Sequence, residues 1–132
     1  MKLKGKSNFD TLKANFGDRI TTDISTTAKE FITQHINSVW QLELLLLLKS
    51  CNNSMNIAEV SRMMHMEHSA IDLSLQAFAL SGILSIDDDQ RYRYSPNYAL
   101  SNSIDETARM FSERRIAVIN FIYAVPAAIS ND

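Results

Sequence analysis

Residues 55–96 restrict the possible folds of this chain most, because helical and strand patterns succeed one another there within a short stretch. Asn56 and Glu59 have the spacing of a capping box, and they predict a short helix over residues 57–64. A tight turn comes next, and apolar residues at helical spacing then predict a second helix over residues 68–81. The first helix is expected to pack on a leucine-rich helix that precedes it in the chain.

A β-hairpin is predicted directly after the second helix. Gly82 stands where a left-handed C-terminal cap belongs, so it separates the helix from the first strand. Residues 84–87 and residues 91–94 each alternate in polarity across an acidic run at 87–89, which predicts two strands with the tyrosines on one side and the arginines on the other. Helix, turn, helix and hairpin in this order are typical of a winged helix-turn-helix.

Helices are predicted on both sides of this segment. Helical periodicity begins near Thr26, and a capping-box pattern at residues 38–41 predicts a helix over residues 39–49 whose leucines cover nearly every face. After the hairpin, a second such pattern at residues 103–106 predicts one long amphipathic helix that ends near Pro126. We therefore expect a mainly α fold with a small β-hairpin wing (α+β), a winged helix-turn-helix with extra N- and C-terminal helices.

Length and charge suggest one domain with an appended arm. The chain has 132 residues and a net charge of -2, but residues 1–29 carry six basic against three acidic groups. The first segment is thus mildly basic and the remainder acidic. We expect a flexible, mildly basic arm at residues 1–25, a winged-helix domain with its C-terminal helix at residues 26–125, and a tail at residues 126–132.

No metal or cofactor site is expected. Cys51 is the only cysteine, which excludes an internal disulfide and a site built from several thiolates. His65 and His68 have a spacing that a metal could use, but they straddle a turn, and the sequence offers no third ligand except the distant His35 or Cys51. The acidic run at 87–89 lacks the ligand spacing of a calcium loop and is explained more simply as a solvated hairpin tip.

The sequence does not indicate an enzyme or a membrane protein. Three glycines cannot build a phosphate-cradling loop, and no catalytic combination of nucleophile and base can be read from the order of residues. Polar residues come after the basic start where a signal peptide would need an apolar run, and the leucine run at 42–48 is far below the roughly 20 apolar residues of a membrane span. We expect a cytoplasmic protein.

Four stretches carry a resemblance to a known class of proteins. They are FITQHINSVWQLELLLLL at 31–48, SGIL at 81–84, RYRY at 91–94 and ERRIAVI at 113–119. Together with the order of elements they resemble the MarR-type bacterial winged-helix proteins, and more narrowly a small, largely uncharacterised group with an SVWxLELLLLL opening helix. The similarity covers roughly residues 30–123.

This resemblance implies a homodimer that binds double-stranded DNA and regulates transcription. Its terminal helices would form the dimer interface, its recognition helix would enter the major groove, and its wing would contact the backbone or the minor groove. Carried over by position, the DNA-binding residues are His68, Ser69, Leu73 and Gln76 on the recognition helix, together with Arg91 and Arg93 on the wing. The dimerisation residues are expected at Ile104, Phe111, Val118, Ile119 and Ile122.

The charge of the recognition segment leaves other functions open. Residues 63–90 contain no Lys or Arg, although phosphate neutralisation supplies most of the affinity in ordinary DNA binding, and five acidic residues fall in the same stretch. One alternative is a protein-interaction or dimerisation module that has lost DNA binding and docks a basic partner. Another is a regulator that senses a ligand in an apolar pocket between the leucine-rich helix and the terminal helix.

Overall fold

The computed structural model describes residues 24–130, with side chains described up to residue 124. The expected arm at residues 1–25 therefore lies, apart from its last two residues, outside the described part of the chain. The described elements are α1 (Thr26–His35), α2 (Val39–Ser50), α3 (Ile57–Met64), α4 (His68–Leu80), β1 (Leu84–Ile86), β2 (Tyr92–Tyr94), α5 (Tyr98–Glu113) and α6 (Arg115–Ser130).

The helix-turn-helix forms as its capping signals predict. Asn56 Oδ1 accepts a hydrogen bond from the Glu59 amide at 2.8 Å, and Glu59 Oε1 accepts one from the Asn56 amide at 3.0 Å, so the predicted capping box is confirmed. His65 ends α3 in the left-handed conformation, with φ 57°. The buried Ser61 hydroxyl donates to the Met66 carbonyl and closes the turn that leads into α4.

The wing is an antiparallel hairpin, as predicted. Leu84 pairs with Tyr94 and Ile86 pairs with Tyr92, so these four side chains share one face of the hairpin. Gly82 has φ +85° and gives the chain the left-handed turn between α4 and β1.

An isolated β-bridge joins the wing to the loop before α3. Met55 and Tyr92 exchange two backbone hydrogen bonds, of 2.8 and 2.7 Å, in an isolated antiparallel bridge. Turn-forming residues around Met55 concealed this pairing in the sequence. The bridge fixes the base of the hairpin to the start of the helix-turn-helix.

The leucine-rich helix α2 lies in the core, as predicted. Leu42, Leu44, Leu45 and Leu48 are buried, and they belong to one cluster with apolar side chains from the other described helices and from the wing. At the surface, Glu43 forms an ion pair with Arg115 of α6, with 3.2 Å between carboxylate and guanidinium. α1 packs chiefly against α5, so the elements before and after the helix-turn-helix meet each other.

The start of α2 is not closed by the capping box expected at residues 38–41. The Ser38 side chain makes no cap hydrogen bond. The Gln41 side chain is engaged elsewhere, because its Oε1 accepts from the Asn37 amide at 2.6 Å and its Nε2 donates to the buried Ser74 hydroxyl at 3.1 Å. The Gln41 oxygen thus binds the amide one residue before the expected one, while its amide nitrogen makes a tertiary contact to α4.

The long C-terminal helix was predicted with the wrong start and as one piece. It begins at Tyr98 because Asn97 Oδ1 accepts from the Leu100 amide at 2.9 Å, which places residue 103 in the helix interior. The chain leaves helical geometry at Arg114, so α5 and α6 are separate helices. α6 runs to Ser130, so the end predicted near Pro126 is also wrong.

The described chain is therefore mainly helical with one antiparallel hairpin, and the order of its elements is that of a winged helix-turn-helix. The predicted fold class is confirmed.

Candidate nucleic-acid interface

Helix α4, the second helix of the helix-turn-helix, has one buried face and one open face. Ile71, Ser74, Leu75 and Phe78 are buried against the rest of the domain. His68, Ser69, Leu73 and Gln76 are all exposed; Ser69, Leu73 and Gln76 follow one another at spacings of four and three residues and so lie along one side of the helix, with His68 beside Ser69 in the first turn. The structure thus brings together the four residues carried over by position, and nothing else in the described chain covers them.

The N-terminus of α4 opens into a cleft. Glu67 precedes the helix and makes no side-chain capping bond, so the first amide groups of α4 have no partner from that side chain. The cleft has a volume of about 520 Å³ and is lined by residues from the start of α3, the first turns of α4 and the tip of the wing: Asn56, Ile57, Ala58, His68, Ser69, Asp72 and Gln90. An uncapped helix N-terminus favours an anion such as a phosphate.

Gln76 is held by an acidic neighbour. Its Nε2 donates to Asp72 Oδ1 at 3.0 Å, one turn earlier on the same helix. A glutamine that reads adenine uses both its amide donor and its carbonyl acceptor, so this bond must open before Gln76 can make that contact. Asp72 also lies close to the wing, since burial and then the Asp72 charge raise the pKa of Tyr92.

Arg91 is bound to its own domain. Its Nε donates to the Ser54 hydroxyl at 3.0 Å, and its Nη2 donates to the Ser54 carbonyl at 2.8 Å and to Glu59 Oε1 at 2.9 Å. Glu59 is the residue that closes the capping box of α3, and its pKa is lowered first by the Asn56 backbone hydrogen bond and then by Arg91. The guanidinium is consequently turned toward the α2–α3 loop.

Arg93 points to the same loop from a more exposed position. Its Nη1 donates to the Asn52 carbonyl at 3.0 Å.

Arg62 of α3 is exposed and lines a shared recess with Arg91 and Glu59. Arg62 stands one position before the stretch without basic residues and was not predicted as a site residue, although its place three residues after Glu59 puts it near Glu59 on α3. The cations therefore gather beside α3 and the loop, away from the open face of α4.

Most of the expected dimerisation residues serve the core of the single chain. Ile104, Phe111, Val118 and Ile122 are buried within the described domain, and Ile119 is half-buried. The apolar side chains that α6 exposes within the described residues are Ile116 and Tyr123, at 69% and 68% exposure. They lie seven residues apart, and so on one side of the helix.

No group of three or more His, Cys, Asp and Glu side chains that could hold a metal ion occurs in the described part of the chain. The first aspartate of the acidic run has a structural role, since Asp87 Oδ1 accepts from the Asp89 and Arg91 amides at 2.9 and 3.0 Å and shapes the tip of the wing.

Within residues 24–130, no helix is long and apolar enough to cross a membrane.

No protein-family model matches this chain, and no curated protein matches its sequence. Among solved structures, it is similar to the multiple antibiotic-resistance repressor (MarR) from Listeria monocytogenes, with 13% sequence identity and a TM-score of 0.47. The match covers 86% of this chain and 72% of that chain. A similarity this distant carries no conclusion about function.

Proposed function

We propose that this chain is a bacterial transcription regulator of the winged-helix class that binds double-stranded DNA as a homodimer in the cytoplasm. The observation that carries the proposal is the open, uncapped N-terminus of α4, where the exposed His68 and Ser69 face a cleft bounded by α3 and the tip of the wing. A helix that enters the major groove contacts DNA through its N-terminal residues. The proposal assigns no enzymatic activity to the chain.

The phosphate contacts would come from two sources. The first amide groups of α4 can bind a phosphate oxygen, and the cations Arg62, Arg91 and Arg93 flank the helix-turn-helix on its loop side. Asp72 and the acidic tip oppose these contacts. Because Glu59 holds Arg91, Arg62 and Arg93 remain for each protomer, and the logarithm of the binding constant should fall with the logarithm of salt concentration with a slope of about -2 for each protomer.

The base contacts would come from the open face of α4. His68 and Ser69 reach base edges or phosphates as hydrogen-bond donors and acceptors, and Leu73 offers apolar contact to a thymine methyl group. Gln76 can pair with adenine once its bond to Asp72 has opened. Specificity would thus depend on few residues, while affinity is limited by the acidic surroundings.

Dimerisation would present two α4 helices to two half-sites. The exposed stripe on α6, with Ile116 and Tyr123, provides an apolar surface for a second copy of the chain. The proposed interface thus lies on the C-terminal helix, as expected from the sequence. It is formed by the exposed Ile116 and Tyr123 instead of the buried residues that were expected. The buried Val118 and Ile122 would support it from the core.

The test is fluorescence anisotropy of a labelled random-sequence duplex titrated with the full chain at low and at moderate salt. Arg93→Ala should weaken binding and lower the salt slope by about 1, because one phosphate contact is lost. Arg109→Ala is the matched control, since Arg109 lies on α5 and is paired with Glu106 and Glu113. No binding by the wild-type chain at low salt would contradict the proposal.

One observation favours a second candidate function. The open side of α4 exposes apolar side chains within a stretch of 28 residues, 63–90, that lacks Lys and Arg. A module that has lost DNA binding and docks a protein through this face would share these features. The same titration separates the two functions, because such a module would not bind the duplex at low salt.

A further inference from the structure

An apolar surface runs along the second half of α4 and onto the wing. Leu73 is 70% exposed, Leu80 is 89% exposed, and Ile86 of β1 is 45% exposed. Leu73 and Leu80 are two helical turns apart and therefore lie on the same side of α4. We call Leu73, Gln76, Ala79, Leu80, Ile86 and Tyr92 the α4–wing patch. Contiguous exposed apolar surface of this kind marks contact sites for other proteins.

The patch is concave at its centre. A recess of about 210 Å³ lies between α4 and the hairpin, with Ala79 and Leu80 on the helix side and Ile86 and Tyr92 on the wing side. Ile86 and Tyr92 are directly paired across the hairpin, so both side chains turn toward α4. An apolar side chain from another molecule can enter this recess, and Leu80 would cover it from the rim.

Acidic groups border the patch. Asp72 accepts a hydrogen bond from the Gln76 side chain, and its charge, after burial, raises the pKa of Tyr92; the acidic run at 87–89 forms the exposed tip of the wing beyond Ile86. The wing arginines lie on the other face of the hairpin, where Arg91 and Arg93 bind the α2–α3 loop. The patch is therefore an apolar recess bordered by negatively charged side chains.

We propose that the α4–wing patch is the docking site of a basic amphipathic helix from a partner protein. Its apolar residues, at helical spacing, would cover Leu73 and Leu80 and fill the recess, and its Lys or Arg side chains would face Asp72 and Asp87. The same acidic groups repel nucleic acid and anionic membrane. A second copy of this face would bring like charges together, which disfavours self-association through the patch.

This docking site goes beyond the DNA contact proposed above and does not depend on it. The recess lies toward the end of α4 opposite the cleft that faces DNA, but the patch shares Leu73 and Gln76 with the proposed DNA contact. A partner on the patch would therefore compete with DNA for these two residues.

The probe is a labelled synthetic helix of leucine and lysine with leucines at helical spacing, titrated with the full chain and monitored by anisotropy. Leu80→Ser should weaken binding at least about tenfold, because Leu80 forms the rim of the recess. Tyr98→Ser is the matched control, since Tyr98 is 83% exposed at the start of α5, outside both proposed interfaces, and its loss should leave the affinity unchanged. Asp72→Asn should weaken binding and reduce its dependence on salt.

Three results would overturn the proposal. A scrambled peptide of the same composition that binds as tightly would show that charge alone drives the contact. A peptide with the sequence of residues 1–23 that displaces the probe would assign the patch to the chain's own N-terminal segment. Equal losses of peptide and duplex binding in Leu80→Ser would place Leu80 in the DNA interface. Ile86→Ser repeats the test from the wing if Leu80→Ser does not fold.

Discussion

The wing residue Arg91 is bound to Glu59 at the start of α3, with 2.9 Å between Nη2 and Oε1. The same Glu59 oxygen accepts the Asn56 amide and so closes the N-terminus of α3. One carboxylate oxygen therefore serves both the helix cap and the contact between wing and helix-turn-helix. Because the pair is partly exposed, its effect lies more in orienting Arg91 than in stabilising the fold.

We predict that Glu59→Gln increases the affinity for a duplex at low salt. The amide oxygen of glutamine can still accept from Asn56, so the cap remains, while Arg91 loses its ionic partner and becomes available to a phosphate. The salt slope should become steeper by about 1, as expected for one further phosphate contact.

Glu113→Gln is the charge-matched control for this variant. Glu113 is paired with Arg109 on α5, so its substitution removes the same negative charge far from the wing. If both variants raise the affinity equally, net charge rather than the release of Arg91 explains the gain.

The packing of α4 gives a prediction about stability. Leu75→Ala should lower the free energy of unfolding by about 2–5 kcal/mol, because Leu75 is fully buried. Leu73→Ala should change it by less than about 0.5 kcal/mol, because Leu73 is exposed and belongs to the interaction face. Urea denaturation of the two variants measures the difference. Similar losses would mean that Leu73 is covered in solution.

Gly82 permits a prediction about backbone strain. An added Cβ would meet only Leu100 Cδ1, at 4.0 Å, so the site has room for a side chain. Gly82→Ala should therefore lower the free energy of unfolding only by the strain of the positive φ, about 1–2 kcal/mol. Gly82→Asn should cost less, because asparagine tolerates this conformation. Equal losses for Ala and Asn would point to a steric cause instead.

His35 should make the fold less stable in acid. Burial lowers the pKa of this imidazole from its ordinary value of 6.5, so the folded chain holds it neutral. As pH falls below about 6.5, the unfolded chain takes up a proton that the folded chain binds less readily, and the melting temperature should decrease until the folded pKa is reached. His35→Gln should remove this part of the pH dependence. His65→Asn, in the exposed turn, should keep it.

The α6 stripe predicts the oligomeric state. Tyr123→Glu should shift sedimentation from dimer to monomer, because it places a charge on the proposed interface. Tyr98→Glu is the control, since Tyr98 is an exposed tyrosine at the start of α5. A wild-type chain that sediments as a monomer at all concentrations would contradict the proposed dimer.

The fold could be predicted from the sequence where its signals are local. The Asn56–Glu59 cap, the turn at Gly82 and the alternation in the hairpin depend on neighbouring residues, and the structure contains all three. The cap expected at residues 38–41 does not form, because the Ser38 side chain makes no cap hydrogen bond and Gln41 Oε1 accepts from the Asn37 amide instead. The break at Arg114 also has no signal in composition or periodicity.

The candidate site was harder to predict, because its chemistry depends on contacts between distant segments. The sequence identifies which residues lie on the open face of α4, since helical spacing alone determines that face. It cannot show that Arg91 and Arg93 are bound to carbonyls of the α2–α3 loop, or that Gln76 is held by Asp72. Burial of the expected dimerisation residues likewise depends on how α5 and α6 pack on α1 and on each other.

The Met55–Tyr92 bridge attaches the hairpin to the chain that leads into α3. Its two backbone hydrogen bonds lie just before the first turn of α3, and Tyr92 also lines the recess beside α4. The residue that forms one wall of the recess is thus hydrogen-bonded through its backbone to the residue directly before the Asn56 cap of α3.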